Sequence, residues 1–190
     1  YVNGRGGLED TIKFSIVAAT GQKGINYDNV IYSHWSWANE PYQCINYISA
    51  HDNYTLWDKL AMSNREDSIE KRKNMNKLAA AIVLTSQGIP FFQAGEEFLR
   101  SKKNDDGSFN HDSYNAPDRV NSLDWRRVYD YRDIVNYYKG LIKLRKKYRA
   151  FRMNSAEEIR KNLTFLERGE SFYKNNVVAY KIEDNSGRNL

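Results

Sequence analysis

Ile45-Asn46-Tyr47-Ile48-Ser49-Ala50-His51-Asp52-Asn53 is the stretch whose reading decides the fold. Ile45, Tyr47 and Ser49 alternate with Asn46, Ile48 and Ala50, and no ionisable side chain except the Tyr47 phenol interrupts the run before His51. The pattern predicts a buried β-strand whose C-terminal tip carries three polar groups able to do chemistry. A strand that is apolar along its length and polar at that tip is how α/β barrels present active-site groups. The same residues also read as a strand followed by an Asx turn, with Asp52 or Asn53 capping the next segment. On this stretch alone both readings stand.

Working outward, a second run of the same kind follows. Ile89-Pro90-Phe91-Phe92-Gln93-Ala94 is apolar and finishes at Gly95-Glu96-Glu97. Between the two lies a helical pattern from about Ser68 to Ser86, with Leu78, Ala79, Ile82 and Val83 on one face and Gly88 as its stop. Upstream, Glu9 to Ala19 reads as a helix with Leu8, Ile12, Ile16 and Val17 at helical spacing and Gly21 as its stop. A long loop follows from Gln22 to Pro41, with a short extended piece at Val30-Ile31-Tyr32. It gathers Tyr32, His34, Trp35 and Trp37. Downstream, polar turn-rich sequence runs from Lys102 to Asp124, longer than a connection needs to be, and loops of that length are usually functional or disordered. A third helix spans roughly Tyr131 to Tyr148, its inner stripe made of Ile134, Tyr138, Leu141, Ile142 and Tyr148. A short helical piece near Glu157 to Phe165 and an alternating strand from Asn176 to Ile182 complete the pattern.

Strands buried on both faces and separated by helices predict parallel βα units, so the fold class is α/β. Two such strands cannot bury their own faces, and the last strand reads as the first piece of an antiparallel domain. The expectation is a fragment of a larger protein.

Composition narrows the function classes. Among 190 residues, Tyr 14, Phe 8 and Trp 4 make aromatics dense enough that a hydrophobic share of 41% does not imply disorder. Flat rings fill cores, and they also stack on pyranose faces. A net charge of +5 from 29 basic and 24 acidic residues is modest, and the basic side chains sit on predicted helix faces. Arg145-Lys146-Lys147 falls in a last helical turn, where cations complement the dipole. That balance argues against a nucleic-acid partner. Asn, Lys and Glu interrupt every apolar run, so no membrane span or signal peptide is read. Cys44, the only cysteine, excludes an intrachain disulfide and reads as a small core residue. His34, His51 and His111 are scattered without metal-ligand spacing. No cofactor is called for. Asn104, Asp105 and Asp106 are the calcium candidates, but they lack the regular spacing and the Glu of an EF-hand, and Asp105-Asp106 reads as a solvated turn.

Four blocks stand in order along the chain: INYISAHDNYTLWDKL, GIPFFQAGEEFLRSK, DSYNAPDRVNSLDW and YYKGLIKLRKKYRAFR. Together they resemble the last third of the catalytic barrel of type I pullulanases, debranching enzymes of the α-amylase superfamily, glycoside hydrolase family 13. The resemblance runs over roughly residues 1 to 185 and is strongest from Asn46 to Phe151. It implies the last part of a (β/α)8 barrel, from helix 6 to helix 8, over residues 1–152. Residues 153–190 would begin a C-terminal β-domain.

In that family the seventh barrel strand ends in a His-Asp pair. The resemblance implies that Asp52 is the third catalytic carboxylate, which stabilises the oxocarbenium-like transition state. His51 would contact hydroxyls of the same sugar ring, and Asn53 would line the adjacent subsite. The chemistry suits those residue types, because a fixed carboxylate gains as positive charge grows at the anomeric carbon. The eighth strand would be Ile89 to Ala94, with Glu96 and Glu97 bracing loops beneath the site. The loop Asp112-Ser113-Tyr114-Asn115-Ala116-Pro117-Asp118 resembles a sugar-contact loop, in which Asp118 matches a substrate-binding carboxylate and Asn115 is a lesser candidate. Ser122 stands where the family often has Arg, Arg119 follows Asp118 directly, and Asp124-Trp125 would anchor the loop's return.

The resemblance further implies retaining hydrolysis of α-1,6 branch linkages in pullulan, starch or glycogen-type α-glucans. Such hydrolysis needs a nucleophile and an acid/base carboxylate about 5–5.5 Å apart. In the resembled family these lie on the fourth and fifth strands, which would precede Tyr1. The 190-residue piece alone is therefore expected to be inactive, with the remainder of its own catalytic domain as partner. The family tends to have Asn-Asp-Arg where this chain has Asn3-Gly4-Arg5. Two rival readings are an α-1,4-acting amylase-type enzyme and a non-catalytic glucan-binding piece using Trp35, Trp37 and the Asp118 loop.

Overall fold

The computed structural model describes residues 1–166, 176–184 and 190. Residues 167–175 and 185–189, part of the expected β-domain segment, lie outside the described residues. The structure is α/β, with helices and two small sheets. It divides into two compact units, one made of Tyr1–Asn46, Ile82–Pro90 and Lys143–Leu190, the other of Tyr47–Ala81 and Phe91–Ile142.

In the first unit, α1 covers Glu9–Ile16 and starts with two acids, Glu9 and Asp10, whose charge suits a helix N-terminus. The helix stops before the expected Ala19 because Ala18 and Ala19 both take φ of 56°, a left-handed conformation that costs an alanine energy. Burial holds them there, since both are almost fully enclosed. Thr20 also donates from its hydroxyl to the Val17 carbonyl at 2.7 Å. The turn seats Ile16 and Val17 in a core with Phe151, Met153, Ile159 and Leu163. Phe14, Val30 and Cys44 share a smaller cluster. Cys44 is a buried free thiol, and burial pushes its pKa up. The extended piece expected at Val30-Ile31-Tyr32 forms no ladder; a 3₁₀ turn at Tyr27–Asn29 precedes it.

The two predicted strands pair in parallel, β1 (Ile45–Asn46) with β2 (Ile89–Pro90), in the register Ile45↔Ile89 and Asn46↔Pro90. Parallel neighbours need a long crossover, here carrying α2 (Leu56–Ser63) and α3 (Ile69–Thr85). The ladder is much shorter than the sequence pattern suggested. Pro90 has no N–H to give, and among the described residues each strand has a single partner. Burial also falls short of expectation. Ile45 is 57% exposed and Ile89 45%, because a two-stranded sheet leaves an apolar face uncovered.

Two polar side chains fasten this unit. Gln87 is wholly buried, and its amide donates to the Ala150 carbonyl at 2.8 Å while accepting from Met153 N–H at 2.9 Å. Its backbone N–H donates to the Ile16 carbonyl at 2.8 Å, and its carbonyl accepts from the Asn46 amide at 2.7 Å. Arg145, near the end of α6 (Arg132–Lys147), was expected to sit in a solvated last turn. It is instead buried, donating to the carbonyls of Leu84, Ser86 and Gly88 at the end of α3. Burial pulls its guanidinium down to about 10. The piece expected to be helical from Glu157 to Phe165 divides. Ala156–Asn162 is helix α7, opened by the Ser155 hydroxyl accepting from Glu158 N–H, and Leu163–Phe165 is strand β3. It pairs antiparallel with β4 (Tyr180–Ile182), the core of the strand expected from Asn176.

In the second unit, Met75, Asn76, Ala79 and Ala80 form the buried face of this part of α3. Leu78, assigned to that face from the sequence, is 42% exposed. Helix α2 was not anticipated. Thr55 caps it, its hydroxyl accepting from Asp58 N–H at 3.1 Å. Phe98, Ile134 and Tyr138 are buried, and Phe92 meets Tyr138 edge to face at 5.6 Å. The long polar loop contains one short helix, α4 (Asp118–Asn121), and a second, α5 (Arg127–Asp130), follows it.

Candidate active site

All five site residues read from the sequence lie in the second unit. His51, Asp52 and Asn53 follow β1 as an exposed bend, in which Asn53 adopts φ of 62°. Asn tolerates that left-handed turn better than most residues, and it swings the chain towards α2. The Asp52 side chain is 71% exposed and that of His51 86%, with His51 Nε2 lying 3.4 Å from Asp52 Oδ2. The carboxylate therefore faces solvent with one imidazole beside it.

The 111–118 loop is tied to this tip by two contacts. The Tyr54 ring packs on the His111 ring with centroids 5.5 Å apart. The stronger tie is Lys102, which is 2% exposed. Its ammonium donates to the His51 carbonyl at 2.9 Å and to the Ser113 hydroxyl at 2.7 Å. Burial lowers the Lys102 pKa, as does the neighbouring Arg100 charge, while the negative charges of Asp52 and Asp58 act the other way. The Lys102 backbone is fixed too, its N–H donating to buried Asp58 Oδ2 at 2.8 Å, while Ser101 donates to Asp58 Oδ1 at 2.5 Å. Burial raises the Asp58 pKa against those hydrogen bonds. Asn115 and Asp118 are both exposed, Asp118 as the first residue of α4. Their side chains make no hydrogen bond or ion pair among the described residues, and nothing joins them directly to Asp52. Arg119 instead reaches back to Asp105 with two bonds of 2.8 and 2.7 Å.

Beneath the tip sits a buried polar cluster. Glu96 accepts from the Ser49 hydroxyl at 2.6 Å and from the Tyr138 hydroxyl at 3.2 Å. Tyr138 also lies 3.3 Å from Asn76 Oδ1. Burial pushes Glu96 up to about 7, against both hydrogen bonds, and Glu97 adds to the rise. Burial and the Glu96 carboxyl raise Tyr138 further still. Glu96 thus touches Ser49, three residues before Asp52. Glu97 accepts from Gly95 N–H at 2.9 Å. At the loop's return Trp125 packs on Phe98 with ring centroids 5.5 Å apart.

The sequence did not single out Lys102 or Asp58, and it offered Tyr138 only as part of a helix's inner stripe and Ser113 only as a loop residue. Thr55-x-x-Asp58 was a legible capping signal, whereas nothing local marked Lys102 as buried. Trp35 and Trp37, exposed in the other unit, are remote from these residues in the sequence, and Trp35 borders a surface hollow with Tyr27, His34 and Arg160. Among the described residues no group of three or more His, Cys, Asp or Glu side chains could hold a metal ion. No helix among them is long and apolar enough to cross a membrane.

Two parallel strands joined by helices, with a second small antiparallel sheet, make the chain α/β. No family model matches the sequence. Over 145 residues the chain is 38% identical to the pullulanase of Bacillus subtilis strain 168, an alignment that takes in 76% of this chain and 19% of that protein. It is 46% identical over 91 residues to the chloroplastic pullulanase 1 of Arabidopsis thaliana, covering 47% of this chain and 9% of that one. Among solved structures, Paenibacillus barengoltzii pullulanase in complex with maltohexaose and α-cyclodextrin superposes with a TM-score of 0.80 at 43% identity, over 98% of this chain and 26% of the other. Type I pullulanase of Bacillus subtilis with maltose gives 0.83 at 32% identity, over 97% and 23%. The chain belongs to the type I pullulanases, a group within glycoside hydrolase family 13. It spans a quarter or less of the length of most of these relatives.

Proposed function

We propose that residues 1–152 supply the last part of a (β/α)8 catalytic barrel and that 153–190 begin a C-terminal β-domain. In this reading the intact protein is a retaining hydrolase of α-1,6-glucosidic branch linkages in pullulan, starch or glycogen-type α-glucans. Asp52 stabilises the oxocarbenium-like transition state, and His51 contacts the same sugar ring. Asn53 lines the adjacent subsite, and Asp118, with Asn115, binds the neighbouring glucosyl unit. The nucleophile and the acid/base come from the preceding part of the barrel, so the 190 residues alone do not hydrolyse glucan.

The observation that carries the reading is the solvent-facing Asp52 beside His51, in the segment of chain after β1, in a chain of this family. Relatives solved with maltohexaose and maltose support an α-glucan as the ligand class. A carboxylate fixed beside the anomeric carbon strengthens its interaction as the ring acquires positive charge, which lowers the barrier without needing to bind the ground state tightly. Asp52→Asn in the full-length protein is expected to cut pullulan turnover by roughly 10²–10³-fold or more while leaving the fold intact. Near-normal turnover would overturn the assignment. Products formed from pullulan against those from linear amylose separate α-1,6 from α-1,4 action.

A further inference from the structure

We infer that Lys102 is a positioning residue that clips the His51-Asp52-Asn53 tip to the 111–118 loop, so that the two sugar-facing segments keep one mutual geometry. The inference rests on the functional reading of Asp52 and deepens it. Lys102 lies in neither segment, and its ammonium is enclosed, with no carboxylate in direct contact. A buried cation is expensive unless its protons are satisfied, and here two of them go to the His51 carbonyl at 2.9 Å and the Ser113 hydroxyl at 2.7 Å.

Both acceptors are well placed for the task. The His51 carbonyl belongs to the peptide that joins His51 to Asp52, so fixing it limits where the Asp52 carboxylate can swing. Ser113 is buried, and its own carbonyl accepts from Asn121 Nδ2 at 2.7 Å, which binds the loop to α4 just beyond Asp118. The clip is itself anchored, because the Lys102 N–H donates to Asp58 and its carbonyl accepts from Asn110 N–H at 2.9 Å. Asp58 sits on α2, directly after the tip. One side chain therefore closes a circuit through the tip, α2, the Lys102 backbone and the loop. A methionine of similar length would fill the same space without a charge to bury, so the ammonium is worth its desolvation only if the geometry it imposes matters.

The test uses the full-length protein with pullulan as substrate. It also follows hydrogen exchange in peptides covering Ser49–Leu56 and His111–Asp118. Lys102→Met is expected to lower kcat by about 100-fold, the usual effect of a misplaced catalytic group. Exchange in both segments should rise by about tenfold while the rest of the protein keeps its protection. Ser113→Ala frees only the loop side, so it should raise KM by about tenfold with kcat largely kept. Turnover of Lys102→Met within about threefold of wild type, or exchange unchanged in both segments, overturns the inference. Should Lys102→Met fail to fold, Ser113→Ala decides, and unchanged KM and unchanged exchange there are equally fatal. If Asp52→Asn proves fully active, the functional reading fails on its own account. The clip then stands or falls on exchange alone.

Discussion

Replacing Glu96 by Gln tests how the buried cluster under the site responds to pH. Glu96 is 5% exposed, and burial raises its carboxyl from an ordinary 4.5 to about 7. Below pH 4.5 the group is protonated in both the folded and the unfolded chain, and its contribution to stability is fully present. Between 4.5 and about 7 the unfolded chain has lost the proton while the folded chain keeps it, so stability declines as pH rises. Above that window both forms are ionised and the loss is complete. The span from 4.5 to about 7, at about 1.4 kcal/mol per pH unit, makes the loss about 3 kcal/mol. Glu96→Gln keeps the shape and polarity of the protonated acid but cannot ionise. The variant should match wild type near pH 4.5 and exceed it by about 3 kcal/mol at pH 8. Urea unfolding of both proteins at half-unit steps from pH 4.5 to 8 gives the difference curve, in which other titrating groups cancel. Parallel curves that differ by less than about 1 kcal/mol throughout would refute the argument. A Glu96 carboxyl resonance titrating below pH 5.5, well short of the value of about 7, would do the same.

Two further predictions concern the first unit. Arg145→Met strands the carbonyls of Leu84, Ser86 and Gly88, and should destabilise by about 3 kcal/mol in chemical denaturation, a loss that a solvated last-turn cation would not produce. Gly88 has φ of 84°, and a Cβ there would stand 2.9 Å from both Ala18 Cβ and the Cys44 carbonyl oxygen. Gly88→Ala should therefore cost about 2 kcal/mol or more, and a variant as stable as wild type would show that this close approach is not real.

Much of the element order was legible because periodicity reports a helix's own geometry. The helices at Ile69–Thr85 and Arg132–Lys147 fall within a residue of the spans expected from their apolar spacing. Strands are harder, because a ladder depends on what lies beside it. Ile45 to Ala50 has the pattern of a full strand, yet only Ile45–Asn46 is laddered, since pairing needs a neighbour that local sequence does not name. Phe165 was read as helical because it continues a helical pattern, whereas pairing with Tyr180 across a long separation makes it strand. The site divides along the same line. His51 and Asp52 were singled out because they follow a strand-like run, and the structure leaves both exposed in the segment after β1. Lys102 was missed because its burial is decided by Asp58, His51 and Ser113 together, from three separate stretches of chain.

Gln87 has a bearing on the order in which this protein can assemble during synthesis. Its four hydrogen bonds reach Ile16, Asn46, Ala150 and Met153, so one residue sits at the meeting point of three stretches that the rest of the chain separates. A chain emerging from the ribosome in order can form α1 and pair the first segment with Gln87 early. It cannot satisfy the Gln87 side chain until Met153 has emerged. Until then that amide lacks its native partners, and the first unit stays open to water and to chaperones. Its completion is set by the arrival of a late segment, so slowing translation after residue 90 should prolong that open state without altering the final fold.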